Sequence, residues 1–97
     1  MAKLLHIKIV TVDGQSLDDE ALSVRAPGGR GSFGVLHNHA PLVSTLADGV
    51  LQWRRPDGAM RRVRISGGLC EVSHNTVTVL TNKMTELAAE PAGHAAI

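Results

Sequence analysis

The chain centres on the stretch GSFGVLHNHAPLV, residues 31–43, which mixes glycine, histidine and proline with short apolar runs. Internal glycine weakens a strand and internal proline breaks a helix, so neither element fits the whole stretch. The composition predicts instead a segment that turns sharply, exposes polar atoms at the corner and returns to a core.

Upstream of this stretch, the sequence predicts two short strands. Residues 5–10 alternate apolar with polar side chains and include β-branched residues, a pattern typical of a half-buried strand. A second alternating run over residues 22–26 ends at residues 27–31, which we interpret as a flexible glycine-rich loop. The acidic run of residues 18–20 between the two strands is interpreted as a solvated loop.

Downstream, short apolar runs continue and are separated by turn residues. Arg55-Pro56-Asp57-Gly58 and His74-Asn75 each predict a hairpin. About seven or eight short strands, with a turn roughly every ten residues, predict a mainly β fold: a two-sheet antiparallel β-sandwich or a small barrel. Further strands are expected near residues 42–46, 50–54, 61–65, 69–73 and 76–81.

The C-terminal part changes character and predicts the only helix. Thr81 or Asn82 can cap a helix that continues to Glu90, and Pro91 would end it. A lone helix of this length is marginal in water, so a short helical or frayed tail is expected. The sequence therefore divides into a β-sandwich domain over residues 1–82 and a short tail over residues 83–97.

Length and composition limit the classes of function. The chain has 97 residues, enough for one domain, and a formal net charge of +1, so no overall field attracts nucleic acid or anionic lipid. Its single cysteine excludes an internal disulfide. The first residues lack a signal-peptide pattern, and no run approaches the ~20 apolar residues of a membrane span. We therefore expect no direct membrane insertion.

Candidate catalytic and ligand-binding patterns are weak. His37 and His39 lie two residues apart, but no carboxylate or cysteine lies close in sequence to complete a metal shell. Cys70 is in phase with Val72 on a strand and is interpreted as a small buried hydrophobe. No helix follows the glycine-rich loop 27–31 to hold a phosphate. We predict no catalytic residue, no metal and no cofactor.

Arginines are concentrated on one predicted hairpin, residues 54–64, which carries five of the seven in the chain. One interpretation is an RNA or DNA surface on a small β-barrel. Base stacking requires aromatic platforms, however, and the chain offers only Phe33 and Trp53. An acidic protein partner and a simple solvated outer face remain as alternatives.

Three runs in order resemble the epsilon subunit of F-type ATP synthases, called delta in mitochondria. They are residues 31–43, residues 46–51 (LADGVL), and residues 65–72 (ISGGLCEV) leading to residues 77–80 (VTVL). The opening run LHIKIV, over residues 5–10, is also similar. The resemblance covers roughly residues 3 to 82 and implies the family's N-terminal β-sandwich.

The resemblance implies a non-catalytic subunit of the rotating central stalk. It would link the gamma subunit to the ring of c subunits and couple proton or sodium flow to ATP synthesis, without binding nucleic acid. The implied location is peripheral, on the cytoplasmic face of a bacterial inner membrane. By the family's pattern, the c-ring interface maps to Arg30, Ser32, Phe33 and His37, and the gamma interface to His39, Ala40, Pro41, Leu42 and Val43.

The chain departs from the family's pattern in three places. Ser32 stands where an acidic residue is common, and His37 replaces a frequent proline. The two-helix hairpin that follows the sandwich in most members, and that can inhibit ATP hydrolysis or bind ATP, has no counterpart in these 97 residues. We expect a naturally short subunit that couples but neither inhibits through a hairpin nor holds ATP there.

Overall fold

The computed structural model describes residues 3–90, which form ten β-strands and contain no helix. The mainly β fold predicted from the alternating pattern is confirmed. In chain order the strands are β1 (Leu5–Thr11), β2 (Ser16–Ala21), β3 (Ser23–Gly28), β4 (Gly31–Leu36), β5 (Leu42–Leu46), β6 (Gly49–Arg54), β7 (Met60–Ile65), β8 (Gly68–Ser73), β9 (Thr76–Thr81) and β10 (Met84–Glu86). With no helix among them, these residues offer none long and apolar enough to cross a membrane.

The strands form two halves of one curled sheet. One half has the order β4-β3-β6-β7-β10, which we call the first half, and the second half has the order β5-β8-β9-β1-β2. Gly28 of β3 pairs with Leu46 of β5 and joins the halves at one corner. The pairing of β1 with β9 is parallel, an exception to the antiparallel β-sandwich predicted from the sequence. These strands are distant in sequence, so the intervening strands supply the long crossover that parallel pairing needs.

Inward-facing side chains of both halves form a single core. Alternation places Leu5, Ile7 and Ile9 of β1 inside, and the same period applies to the other strands. The largest buried side chain is Trp53 of β6. Apart from Trp53 and Cys70 the buried core is aliphatic and comprises Leu5, Ile7, Ile9, Ala21, Val24, Ala26, Val35, Leu46, Leu51, Val63, Ile65, Val72, Val77 and Val79.

Two tight turns bear on the predicted loops: the first corrects a predicted flexible loop, and the second confirms a predicted hairpin. Residues 27–31 are not a flexible loop, because β3 and β4 pair as far as Gly28 and Gly31 and leave only two residues in the turn. Gly31 has a φ of 128°, which a side chain would disfavour, so glycine makes this short connection possible. The β8–β9 hairpin is confirmed, with positive φ at both His74 (51°) and Asn75 (60°).

The predicted helix over residues 82–90 is wrong. Met84–Glu86 forms strand β10, which pairs with β7, and Glu90 exchanges two backbone hydrogen bonds with Met60. The free edge of β7 offers a row of backbone partners, and Met84 packs against the core; a short isolated helix gains neither. The sheet thus continues past residue 82. Residues 91–97, where fraying was expected, lie outside the described residues.

Candidate functional site

The predicted c-ring residues occupy both ends of β4. Arg30 is exposed in the β3–β4 turn, and Ser32 accepts a hydrogen bond from Arg25 Nη1 at 3.3 Å. Phe33 is half-buried and packs against the core. These three line a shallow cleft together with Val43 and the end of β5. The structure therefore groups Arg30, Ser32 and Phe33 with a residue assigned to the gamma interface.

His37 lies at the other end of β4. Five residues of extended chain separate it from Ser32, roughly 16 Å. One end of the sandwich therefore presents three of the four predicted c-ring residues, and His37 belongs to the opposite end. A partner that contacts only one end of the sandwich would therefore not touch all four predicted c-ring residues.

The loop that carries His39, Ala40 and Pro41 is tied to the β8–β9 turn. Asn38, at a φ of 65°, donates its backbone N–H to Asn75 Oδ1 at 2.6 Å, and Asn75 Nδ2 donates to Asn38 Oδ1 at 3.3 Å. His39 Nδ1 lies 2.7 Å from the carbonyl oxygen of Ala40. These bonds fix the loop, and its exposed side chains project from it.

The predicted gamma residues differ in exposure. Leu42 is partly buried and packs against the core, whereas Val43 has 70% of its surface exposed. The alternation of β5 explains the difference, since neighbouring residues point to opposite faces. Val35 is likewise buried in the core, and Leu36 is exposed. Of this stretch, Leu42 and Val35 therefore serve the core, and Val43 and Leu36 are available to a partner.

An apolar row on the outer surface of the second half was not predicted. We define it as Val10, Val12, Leu69 and Leu80. Leu80 pairs with Leu69 on one side and with Val10 on the other, so the three lie side by side across β8, β9 and β1. Val12 is 82% exposed, Leu80 52% and Leu69 49%. One sequence feature could have indicated this row: Leu80 is an apolar residue that follows Thr76 and Thr78 in the outward phase of β9.

Asp19 joins the two halves of the sheet from the edge strand β2. Its carboxylate accepts hydrogen bonds from Trp53 Nε1 at 2.9 Å, from Arg55 Nε at 2.9 Å and from Arg61 Nη1 at 3.1 Å. The Arg61 guanidinium also lies over the Trp53 ring, 5.2 Å from its centroid. The acidic run 18–20 is therefore not a solvated loop: it belongs to β2, and Asp19 points inward because these donors satisfy it.

The charge of this site is fixed by its surroundings. Burial works to raise the pKa of Asp19, but hydrogen bonds from Arg55, the Trp53 indole, the Glu20 backbone and Arg61 outweigh it and hold the pKa well below its usual range.

Burial, with a smaller contribution from the Glu71 charge, raises the pKa of the Cys70 thiol to about 11. Cys70 is fully buried, as predicted for a small hydrophobe. Within residues 3–90, no three His, Cys, Asp or Glu side chains are placed to hold a metal ion.

The fold and these surfaces define a small β-sandwich module with an exposed apolar row on one face. The sequence model of the ATP synthase delta/epsilon chain β-sandwich domain matches residues 4–87. The chain belongs to this family.

Curated relatives and solved structures agree with this membership. The chain is 48% identical to the ATP synthase epsilon chain of Nitratidesulfovibrio vulgaris (strain DP4), over 82% of this chain and 59% of the relative. It is 40% identical to that of Desulfitobacterium hafniense (strain DSM 10664 / DCB-2), over 84% and 61%. The chain thus spans about three fifths of the length of these relatives. Among solved structures, a chain of the Euglena gracilis mitochondrial ATP synthase OSCP/F1/c-ring assembly shares the fold, with a TM-score of 0.80 and 22% identity over 87% of this chain and 54% of that chain.

Proposed function

We propose that this chain acts as the epsilon-type subunit of the rotor of an F-type ATP synthase. It binds the gamma subunit and the c-ring, and it couples ion flow to ATP synthesis without catalysing a reaction itself. Family membership supports this proposal, as do the epsilon-chain names of the relatives. The chain of similar fold from Euglena gracilis belongs to a mitochondrial ATP synthase OSCP/F1/c-ring assembly.

The observation that carries the proposal is the exposed apolar row beside the predicted gamma segment. Leu69 and Leu80 belong to the face that also presents Val43, because Val43 and Leu69 both point outward from the paired strands β5 and β8. Contiguous exposed apolar side chains are typical of protein-binding surfaces, since water contact with them is costly. We place the gamma contact on this face, with Val43 and the apolar row at its centre.

The β3–β4 hairpin end supports the c-ring contact. Arg30 is exposed at the turn and Ser32 beside it carries no charge, so this corner is basic. A c-subunit loop that meets it is then expected to offer carbonyl or carboxylate acceptors. His37, at the other end of β4, is left out of this contact.

The proposed location follows from the partners. Because the c-ring is embedded in the membrane, binding to it would hold this chain at the cytoplasmic face of a bacterial inner membrane. The chain itself would remain peripheral.

Gel filtration with the gamma subunit of the same organism tests the proposal. We expect a stable one-to-one complex, and we expect Leu80→Asp to abolish it because the charge would be buried against an apolar partner surface. Leu36→Asp is the matched control, since Leu36 is also exposed but lies on the outer surface of the first half. Separate elution of gamma and the unmodified chain at micromolar concentration would refute the proposal. Equal loss of binding in both variants would refute the placement of the contact.

A further inference from the structure

The outer surface of the first half carries a cluster of arginines that the proposed gamma and c-ring contacts do not use. Alternation directs Arg25 of β3, Arg54 of β6, and Arg62 and Arg64 of β7 to this surface. We call these four arginines the basic face. Arg25, Arg54 and Arg64 are exposed and Arg62 is half-buried.

The four arginines are close neighbours across the strands. Arg25 pairs with Gln52, which pairs in turn with Arg62, so two guanidinium groups flank one neutral side chain. Arg54 lies two residues from Gln52, and Arg64 lies two residues from Arg62 on the opposite side of this row. Neighbouring strands are about 4.8 Å apart and the rise per residue is about 3.3 Å, so the four like charges lie within about 13 Å along the strands. Such clustering destabilises a free protein and is relieved by an anionic partner.

Three acidic residues of this region, Asp19, Asp57 and Glu86, are committed to other arginines. Arg55 pairs with Asp19 and Asp57, and Arg61 pairs with Asp19 and Glu86. Across residues 3–90, by contrast, none of the four arginines of the basic face forms an ion pair within 4.0 Å.

The remaining polar contacts of the basic face are few. Arg62 Nε is buried and has no hydrogen-bond partner in the described part of the chain. Arg25 donates to Ser32, Arg54 to the Gly58 carbonyl, and Arg62 Nη2 to the Ala88 carbonyl. Asp48 and Lys83 border Arg64, and their formal charges cancel.

We propose that the basic face binds an acidic protein segment, a contact separate from those to gamma and the c-ring. Its four cations are all arginines, whose planar fork binds carboxylates in pairs, and Lys83 borders the face only beside Arg64. Along β7, Arg62 and Arg64 repeat at about 6.7 Å, the spacing of alternate carboxylates on an extended chain.

Two other anionic partners fit the basic face less well. The two aromatic side chains lie inside the sandwich, with Trp53 fully buried and Phe33 packed on the core, so no base-stacking platform accompanies the arginines. A lipid surface is normally met by an apolar helix face or an aromatic belt, and residues 3–90 contain no helix. An acidic protein segment requires neither feature.

Fluorescence anisotropy with a labelled oligoglutamate peptide tests the proposal at low salt. We expect binding, and we expect the double variant Arg54→Gln/Arg64→Gln to weaken it about tenfold or more, because two charge-assisted contacts are lost. The matched control is Lys3→Gln/Lys8→Gln, which removes the same charge from exposed residues in and just before β1 and should change the affinity less than about twofold. Both variants replace exposed side chains, so we expect their melting temperatures to be unchanged. Measuring the melting temperature of each variant verifies that it is folded.

Several outcomes would overturn the proposal. One is the absence of peptide binding, and another is an equal loss in both double variants, which would indicate a diffuse charge effect. A uridine oligonucleotide or phosphatidylglycerol vesicles that bind the basic face more tightly than oligoglutamate would assign it to nucleic acid or to lipid. Because none of these measurements includes gamma, their failure leaves the rotor proposal intact, and the gel-filtration result leaves this proposal intact.

Discussion

At Asp19, donors from β6, from β7 and from the turn between them converge on one nine-tenths buried carboxylate. The unfolded chain binds a proton on this group near pH 4, and the folded chain only at lower pH. The stabilisation is therefore fully present above about pH 5 and is lost as the pH falls toward the folded pKa. We predict that Asp19→Asn lowers the free energy of unfolding at pH 7 by about 2 kcal/mol and flattens its dependence on pH between 5 and 2. Urea unfolding followed by far-UV circular dichroism measures both.

Asp18→Asn is the control for this prediction. Asp18 is the preceding residue and points to solvent, and within residues 3–90 its carboxylate forms an ion pair only with His6, at 3.1 Å. Its replacement should change the stability by less than about 0.5 kcal/mol at pH 7. If the two variants lost stability equally, or if Asp19→Asn retained the steep acid dependence, the assigned role of Asp19 would be wrong.

Of the residue-scale detail, the sequence predicted the buried Cys70 but not the inward Asp19. Cys70 lies in the apolar phase of β8, and this alternation can be recognised from neighbouring residues in the sequence. Asp19 lies in an acidic run, and burial of its carboxylate is favourable only because Trp53, Arg55 and Arg61 donate hydrogen bonds to it. Those residues are more than thirty positions away in the chain, so no local pattern contains the information.

The β8–β9 ladder depends on a glycine at the start of β8. Gly68 has a φ of 122°, and a Cβ built on it would lie 1.8 Å from the Leu80 carbonyl oxygen. We predict that Gly68→Ala destabilises the protein by about 3 kcal/mol or more, since the backbone of β9 would have to move. Thermal unfolding measures the loss.

Gly14→Ala is the matched variant for this prediction. Gly14 also has a positive φ, of 94°, but among the described residues no atom outside its chain neighbours lies within 4 Å of a built Cβ. Its replacement should therefore cost only the backbone strain, about 1 kcal/mol. Equal effects of the two substitutions would show that close approach to β9 is unimportant.

At the scale of elements, the hairpins were predictable and the C-terminal helix was not. The turns at residues 55–58 and 74–75 follow from Pro, Gly and Asn preferences that act within four residues. The capping pattern near Asn82 was also local, but the free edge of β7 competes with it. Backbone pairing and burial of Met84 made β10 the more stable outcome.

In the molecule as a whole, the halves of the sheet share one core and meet at Trp53, which lies in β6 and bonds to Asp19 in β2. The halves therefore cannot unfold separately without exposing the same buried surface. We predict a single two-state transition in which Trp53 fluorescence and far-UV circular dichroism coincide in urea. Two midpoints, or a fluorescence change that precedes the loss of strand signal, would show that the halves are independent.

By itself, the sequence determined the mainly β fold, most strand positions and the family, because alternation, turn residues and ordered motifs act locally along the chain. The tertiary structure decided the parallel pairing of β1 with β9, the pairing of β10 and the burial of Asp19, since each depends on residues distant in sequence. It also divided residues 31–43 into core and surface, placing Leu42 inward and Val43 outward. The exposed apolar row and the basic face emerged only when separate strands lay side by side, because a surface is made by neighbours in space.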